Sequence, residues 1–347
     1  MSNPIAVLIS DVHYNVHTLS LADAGMRQAI TKANELNIPL IVAGDLHDTK
    51  ANMRAECVNA MIETFSLCKT PCYIPRGNHD QIHEKSTEHA LNFLRTNNIT
   101  IVDVPIWSPE LNLNLIPYQS ESKKMLELLQ DITPKESIII IHQGCQGSNM
   151  GDYVQDHSAL PKECFADFRV ISGHYHTKQD IVCGKPRKGQ VGLFSYIGNP
   201  YTLGFGEAND PSKGFQILMD DGTLKFVPTN LRRHIILNVE TMPNGTNYQI
   251  TGKILLEDVR DIDLVWVKFR GTKEQLLTIN KEKVTRILKL KDFRLDLIPL
   301  DTETELSGDS GKLPQTDTLD NLIDSMNNTS DERKARLKDL WRKTVCA

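Results

Sequence analysis

Apolar and polar positions along the first 230 residues alternate in a way that predicts short buried strands separated by amphipathic helices. Ile5–Ser10 predicts a first strand. Leu19, Ala22, Met26, Ala29, Ala33 and Leu36 then recur at steps of three and four, the spacing of one helix face. Leu40–Ala43 predicts a second strand, and Val58, Met61, Ile62 and Phe65 a second helix face. Cys72–Ile74 reads as a third strand, Ala90, Leu91 and Leu94 as a third helix, and Ile99–Val102 as a fourth strand. The four consecutive isoleucines Ile138–Ile141 predict a strand covered on both faces, and Val170–Ser172 predicts another. Strands and helices in alternation imply a layered α/β domain.

From residue 229 the texture changes. Ile235–Val239, Leu264–Phe269 and Phe293–Leu297 predict strands around a helix over Glu274–Leu288, which suits a small separate α/β unit. Residues 301–318 are rich in Gly, Ser, Thr and Asp and predict a flexible linker. Beyond it Leu319, Leu322, Ile323 and Met326, then Leu337, Leu340 and Trp341, fall at helical spacing. A short amphipathic tail cannot build its own core, so it either packs back on its own domain or docks on a partner. The expected division is 1–228, 229–300, a linker over 301–318 and a helical tail over 319–347.

Composition narrows the setting. A chain of 347 residues is long enough for two domains. No apolar run approaches the ~18 residues of a membrane span. Ile5–Ile9 is too short for the core of a secretory signal and meets Ser10-Asp11 at once. The seven cysteines are odd in number and lack a Cys-x-x-Cys pair, which predicts reduced thiols in a cytoplasmic protein. The net charge of −5 speaks against a uniformly basic nucleic-acid coat. Its distribution changes that picture. Residues 1–228 carry 19 basic and 25 acidic side chains, residues 229–300 carry 13 and 9, and residues 301–347 carry 7 and 10. The middle segment is therefore net basic, and Arg232, Arg233, Lys268, Arg270 and Lys273 are candidate phosphate contacts, or alternatively an ordinary solvated face.

Candidate chemistry sits where predicted strands end. Asp11-Val12-His13 follows the first, Gly44-Asp45-Leu46-His47-Asp48 the second and Gly77-Asn78-His79-Asp80 the third. His142 ends the isoleucine strand, and Gly173-His174-Tyr175-His176 follows Val170–Ser172. Ligands of open α/β sheets bind beyond the carboxyl ends of the strands, so these five segments are expected to converge. Carboxylates, imidazoles and one amide oxygen suit a borderline divalent metal such as Mn²⁺, Fe²⁺ or Zn²⁺ better than calcium. Seven donors exceed the needs of one ion and suit two ions sharing a carboxylate. The glycines before Asp45, Asn78 and His174 are expected to permit tight turns there.

The order of these five segments resembles that of the calcineurin-like metallophosphoesterases. The resemblance implies a layered β-sandwich core flanked by helices. It implies that Asp11, His13, Asp45 and His176 hold one metal, and that Asp45, Asn78, His142 and His174 hold the other. His79 would be the catalytic histidine beside the scissile phosphate, and Asp80 would orient His79 or a neighbour. Arg76 before Gly77 is similar to the Ser/Thr phosphatases, but Thr49-Lys50 after Asp48 and Asp80 after His79 depart from their pattern.

Downstream, Tyr196-Ile197-Gly198-Asn199-Pro200, Thr202-Leu203-Gly204-Phe205-Gly206-Glu207 and Lys213-Gly214-Phe215 resemble the SbcD-type nucleases. So do His142-Gln143-Gly144, Asp152-Tyr153 and His157 to Pro161. The wording is most similar to versions encoded by large tailed phages, which implies the host cytoplasm. This likeness covers residues 5 to about 228 and implies two Mn²⁺ ions, a DNA substrate and a homodimer. It also implies an SbcC-type coiled-coil ABC ATPase as partner in recombination, repair and replication. Residues 229–300 sit where that family has a DNA-capping domain. Leu319, Leu322, Ile323, Leu337, Leu340 and Trp341 sit where it has an ATPase-docking segment. The chain departs from the family at Asn15, where glycine is usual, and at His47, where phenylalanine is usual; His47 is expected to pack under the site. His17, His83, His89, His157, His234, Tyr175 and Trp341 are read as structural or surface residues.

Three readings compete. One is a Mn²⁺-dependent nuclease, exonucleolytic on duplex ends and endonucleolytic on single strands. The second is a stand-alone metallophosphatase or small-molecule phosphodiesterase, which gives residues 229–347 no evident task. The third is a structural adaptor, which the full set of donors disfavours.

Overall fold

The computed structural model of the chain describes residues 2–83, 86–132, 137–149, 159–187, 190–242 and 247–300. The chain opens with β1 (Pro4–Ile9), α1 (Leu19–Leu36), β2 (Leu40–Val42), α2 (Ala55–Phe65), β3 (Cys72–Pro75) and β4 (Ile99–Val102). There follow β5 (Ile106–Ser108), β6 (Leu113–Leu115), α3 (Ser122–Asp131), β7 (Ile138–His142) and β8 (Arg169–Gly173). Then come β9 (Gln179–Arg187), β10 (Gln190–Tyr196), β11 (Gly214–Met219) and β12 (Leu224–Pro228). The last elements are β13 (His234–Thr241), β14 (Tyr248–Thr251), β15 (Leu264–Gly271), α4 (Lys273–Leu276), α5 (Lys281–Leu288) and β16 (Arg294–Pro299).

These strands form two six-stranded sheets and one four-stranded sheet. The first runs β12-β11-β1-β2-β3-β4, with β1 to β4 parallel and β11 antiparallel to β1. The second runs β5-β6-β7-β8-β10-β9, with a parallel centre and antiparallel edges. Side chains alternate across a strand, and here both alternations are apolar. Ala6, Leu8 and Ile41 of the first sheet share a core with Leu115, Ile140 and Ile171 of the second. Val7, Ile9 and Val42 instead face Met26, Ala29 and Ala33 of α1 and Met61 and Phe65 of α2. Ile139, Ile141 and Val170 face Met125 and Leu129 of α3. The layers are therefore helix, sheet, sheet, helix, and the isoleucine run is buried throughout because both its faces have a partner.

The four-stranded sheet runs β14-β13-β15-β16 and begins after β12 completes the edge of the first six-stranded sheet. One face, with Leu237, Val239, Val267 and Phe269, is covered by Leu276, Val284 and Leu288 of α4 and α5. The helix expected over Glu274–Leu288 is broken in two. Asn280 is extended (φ −138°) and its side chain accepts from the Lys283 N–H, so it caps α5 rather than continuing α4. The third helix expected around Ala90–Leu94 is one 3-10 turn over Leu91–Leu94. Ile62, expected on a helix face toward the core, is 47% exposed. Among the described residues no helix is long and apolar enough to cross a membrane. The linker 301–318 and the tail 319–347, with Leu319, Leu322, Ile323, Leu337, Leu340 and Trp341, lie outside the described residues, as do Asp152, Tyr153 and His157.

Candidate metal centre

All five predicted segments meet at the carboxyl ends of β1, β2, β3, β7 and β8. The loops after β1 and β2 run side by side. Asp11 N donates to Gly44 O at 3.2 Å, His13 N to Asp45 O at 3.1 Å and Tyr14 N to Leu46 O at 2.9 Å. Four donors are held in the left-handed region: Asp11 (φ 52°), His13 (φ 49°), Asp45 (φ 49°) and His174 (φ 92°). Such a backbone costs about 1–3 kcal/mol per non-glycine residue and survives only where packing over-determines it.

Two of the three glycines play a different part from the one expected. Only Gly44 takes a positive φ, 85°. Gly77 and Gly173 serve close approach: a Cβ on Gly77 would strike the Asp45 carboxylate, and one on Gly173 the Ser10 hydroxyl. The strain has moved from the glycines to the donors themselves.

The donors form two groups. In the first, His13 Nε2 lies 3.1 Å from His176 Nε2, and His176 Nε2 lies 3.9 Å from Asp11 Oδ1. In the second, His142 Nε2 lies 3.2 Å from Asp45 Oδ2, and Asn78 Oδ1 lies 3.1 Å from His142 Nε2 and 3.0 Å from His174 Nδ1. Asp45 also lies 3.9 Å from His13 Nε2, so it borders both groups. Ligand atoms ~2.0–2.2 Å from one ion stand about 3 Å from each other, which is the spacing seen here. Two imidazole nitrogens aimed at each other need a proton or a cation between them. The residues present thus fit divalent metal.

The electrostatics agree. Burial pushes the Asp45 carboxyl up, but His142, His13 and His79 outweigh it and hold the group well below the usual carboxylate range. Burial pushes the His142 ring down, and Asp45 reverses this, raising it to about 9. His13 is likewise lowered by burial and raised in balance by Asp48, Asp45 and Asp11. His13 and His142 are both drawn toward positive charge by the carboxylates around them.

A further layer of contacts aims the rings. His142 Nδ1 donates to Ala43 O at 2.8 Å, which leaves Nε2 free to bind a cation. His13 Nδ1 lies 3.3 Å from Asp48, and His176 Nδ1 lies 2.6 Å from Glu207. His174 N donates to both Asp11 oxygens, at 3.0 and 3.1 Å. Asp48 and Glu207 were not singled out from the sequence. Asp48 stands three residues after Asp45 in the same loop, and Glu207 closes the Thr202–Glu207 stretch that resembles the SbcD-type nucleases, but only the fold brings it to His176.

His79 presents its ring beside that of His13, with centroids 4.9 Å apart. Its Nδ1 donates to Asp48 O at 2.6 Å, and its N–H donates to Asp45 Oδ1 at 2.8 Å. Asp80 is buried, and its carboxylate accepts from Gly77 N at 2.7 Å and His47 N at 3.0 Å. It ties the second loop to the third rather than touching the His79 ring, whose orientation comes from Asp48. Arg76 is buried beneath the site, donating to Tyr118 O at 3.2 Å, and does not present its guanidinium as a phosphate grip. His47 is buried and pairs with Tyr14 in a short bridge, as a packing residue would.

The candidate phosphate contacts are dispersed over the second unit. Arg233 is clasped with Arg260 on Asp263, at 2.6 and 2.8 Å, and is thereby committed to structure. Lys268 lies over the Trp266 ring at 4.6 Å on the sheet face away from α4 and α5, and Arg294 covers the same ring at 3.9 Å. Arg270 continues the Trp266–Lys268 side of β15. Arg232 lines a groove with Lys289, Lys291 and Arg294, and Lys273 opens α4.

Two stacked sheets with a carboxylate and imidazole rim define a metal-dependent phosphoesterase. Residues 6–178 match the calcineurin-like phosphoesterase family, which makes this stretch a calcineurin-like phosphoesterase domain. Exonuclease subunit 1 of Enterobacteria phage T4 is 24% identical over 273 residues, covering 73% of this chain and 74% of that protein. Among solved structures, a nuclease MPE from Pseudomonas putida is 16% identical, with a TM-score of 0.31, covering 62% of this chain and 84% of that one.

Proposed function

We propose that the protein is a DNA nuclease of the SbcD type that hydrolyses phosphodiester bonds with two divalent ions, Mn²⁺ in the cell. The observation that carries this reading is the clustering of donors: Asp11, His13 and His176 draw together, Asp45, His142 and His174 draw together with Asn78 beside them, His13 also meets Asp48 and His79, and Asp45 lies 3.9 Å from His13. The phage exonuclease subunit, similar over 73% of the chain, supports DNA over a small phosphoester. Asp11, His13, Asp45 and His176 would hold one ion; Asp45, Asn78, His142 and His174 the other. Bound there, the ions supply positive charge that offsets the charge building on phosphate oxygens. The chain's own groups do the rest. Asp80 and the carbonyl of Asp48 keep the loops and the His79 ring in place. With Nδ1–H committed to the Asp48 carbonyl, the imidazolium form of His79 would give its Nε2 proton to the leaving oxygen.

The wider assignment belongs to the same reading. Residues 229–300 cap bound DNA, the tail over 319–347 docks on an SbcC-type coiled-coil ABC ATPase, and the chain works as a homodimer in the cytoplasm, in recombination, repair and replication. To test the substrate, purified protein with Mn²⁺ is offered labelled duplex DNA and a phosphomonoester in parallel. DNA cleavage is expected; monoester hydrolysis with intact DNA would overturn the nuclease reading. His79→Ala is expected to lose ~10²–10⁴-fold in rate. Deleting residues 319–347 is expected to leave basal cleavage and abolish ATPase association.

A further inference from the structure

The network behind His176 reaches far beyond the metal centre. Glu207 places Oε1 2.6 Å from His176 Nδ1. Its Oε2 accepts from Asn199 Nδ2 at 3.1 Å, Leu203 N at 3.1 Å and Lys213 Nζ at 3.0 Å. Lys213 is only 6% exposed and also meets Asp210 at 3.0 Å, Asn199 Oδ1 at 2.6 Å and the carbonyl of His176 itself at 3.1 Å. One buried lysine therefore grips His176 twice, through its backbone and through the carboxylate on its ring. A lone buried ammonium or carboxylate is expensive; each here is matched by several partners, which makes the geometry rigid.

Glu207 sits on a 3-10 turn, Phe205–Glu207, that is also the seat of the second unit. Phe205 stacks edge-on against His234 at 4.8 Å and Trp266 at 5.4 Å. Two residues beyond Glu207, Asn209 brackets Ile236 of β13, accepting from its N–H at 2.9 Å and donating to its carbonyl at 3.0 Å. Thr202, on the other side of the turn, accepts from His234 N at 3.0 Å. The turn is thus bolted to the four-stranded sheet on one side and to a metal-site imidazole on the other.

We propose that Glu207, clamped by Lys213, is a positioning residue. It fixes the His176 ring with Nε2 toward the metal centre, and it makes that placement depend on how the four-stranded sheet is seated against Phe205 and Asn209. This rests on the metal-centre reading above. A sheet that shifts when nucleic acid binds would thereby act on the first metal group directly.

The test is Mn²⁺ titration by calorimetry on full-length wild type, Glu207→Gln and Phe205→Ala, with thermal unfolding of the metal-free proteins as a folding control. Wild type that takes up no Mn²⁺ would overturn the metal reading itself. Given wild-type uptake, Glu207→Gln is expected to bind about 10-fold or more weakly at one of two sites while the other is unchanged. Equal affinities at both sites would overturn the positioning role. Phe205→Ala is expected to show a smaller loss at the same site, and an unchanged affinity would overturn the coupling to the sheet. Should Glu207→Gln fail to fold, ¹⁵N spectra of the metal-free wild type decide: the His176 ring proton is expected on Nδ1, and a bare Nδ1 would overturn the proposal.

Discussion

The rim of the two-sheet core and the four-stranded sheet solve opposite problems. At the rim, Asp11, His13, Asp45 and His174 are all held in the left-handed region, and carboxylates face imidazoles at 3.2–3.9 Å. In the four-stranded sheet the strands are regular, and the main buried carboxylate, Asp263, is matched by two arginines. The rim gathers metal-binding side chains around a shared centre. The sheet is finished without one. Strain marks the part of a fold that does chemistry; satisfied pairs mark the part that holds shape.

That contrast can be broken at several points. The largest effect is expected at Asp45, which borders both donor groups. Asp45→Ala should abolish Mn²⁺-dependent hydrolysis by at least ~10²-fold, read as initial rate on labelled DNA. The same variant should leave the metal-free fold intact by circular dichroism. An active Asp45→Ala protein would mean the rim is not the catalytic centre.

Stability effects should run the other way. Asp263→Ala leaves Arg233 and Arg260 without their shared acceptor, and is expected to cost about 2 kcal/mol by urea denaturation with little change in hydrolysis rate. Its pH dependence has a fixed sign. Burial pushes Asp263 up, but Arg233 and Arg260 bring it down to about 2, below its ordinary 3.8. Its contribution is therefore complete above pH ~4 and lost as pH falls toward 2. The gap between wild type and Asp263→Ala should close over that window; a gap that stays constant would refute the assignment.

Gly173→Ala should combine both kinds of damage on a smaller scale. Its methyl would meet the Ser10 hydroxyl and the Ala43 carbonyl, so a loss of ~1–3 kcal/mol is expected together with weakened metal uptake. Gly206→Ala, whose methyl meets nothing within 4 Å, is the matched control. The smallest effect is expected on the sheet. Lys268→Ala should reduce the slope of log binding constant against log salt on duplex DNA by about 1 without altering cleavage chemistry. An unchanged slope would remove Lys268 from the DNA surface.

The same contrast explains what could be read from the chain. Strand ends such as Asp11-Val12-His13 and Gly77-Asn78-His79 are local signals. Buried strands announce themselves as apolar runs, so the rim donors were legible residue by residue. Glu207 and Lys213 were not, because their task arises only when β10, the 3-10 turn and β11 fold onto His176. The hairpin of β9 and β10 mixes Gly184-Lys185-Pro186 with polar positions and carries no clear period. The break between α4 and α5 rested on Asn280, whose side chain chose a cap over a helix interior. Among the basic candidates, charge alone could not separate Arg233, committed to Asp263, from Lys268, which lies over the Trp266 ring.

The central claim is that the rim holds two divalent ions around Asp45. Crystals grown with Mn²⁺ and measured at the manganese absorption edge test it most directly. Two anomalous peaks are predicted, one within coordination distance of Asp11, His13, Asp45 and His176 and one of Asp45, Asn78, His142 and His174. A single peak, or peaks away from Asp45, would contradict the account.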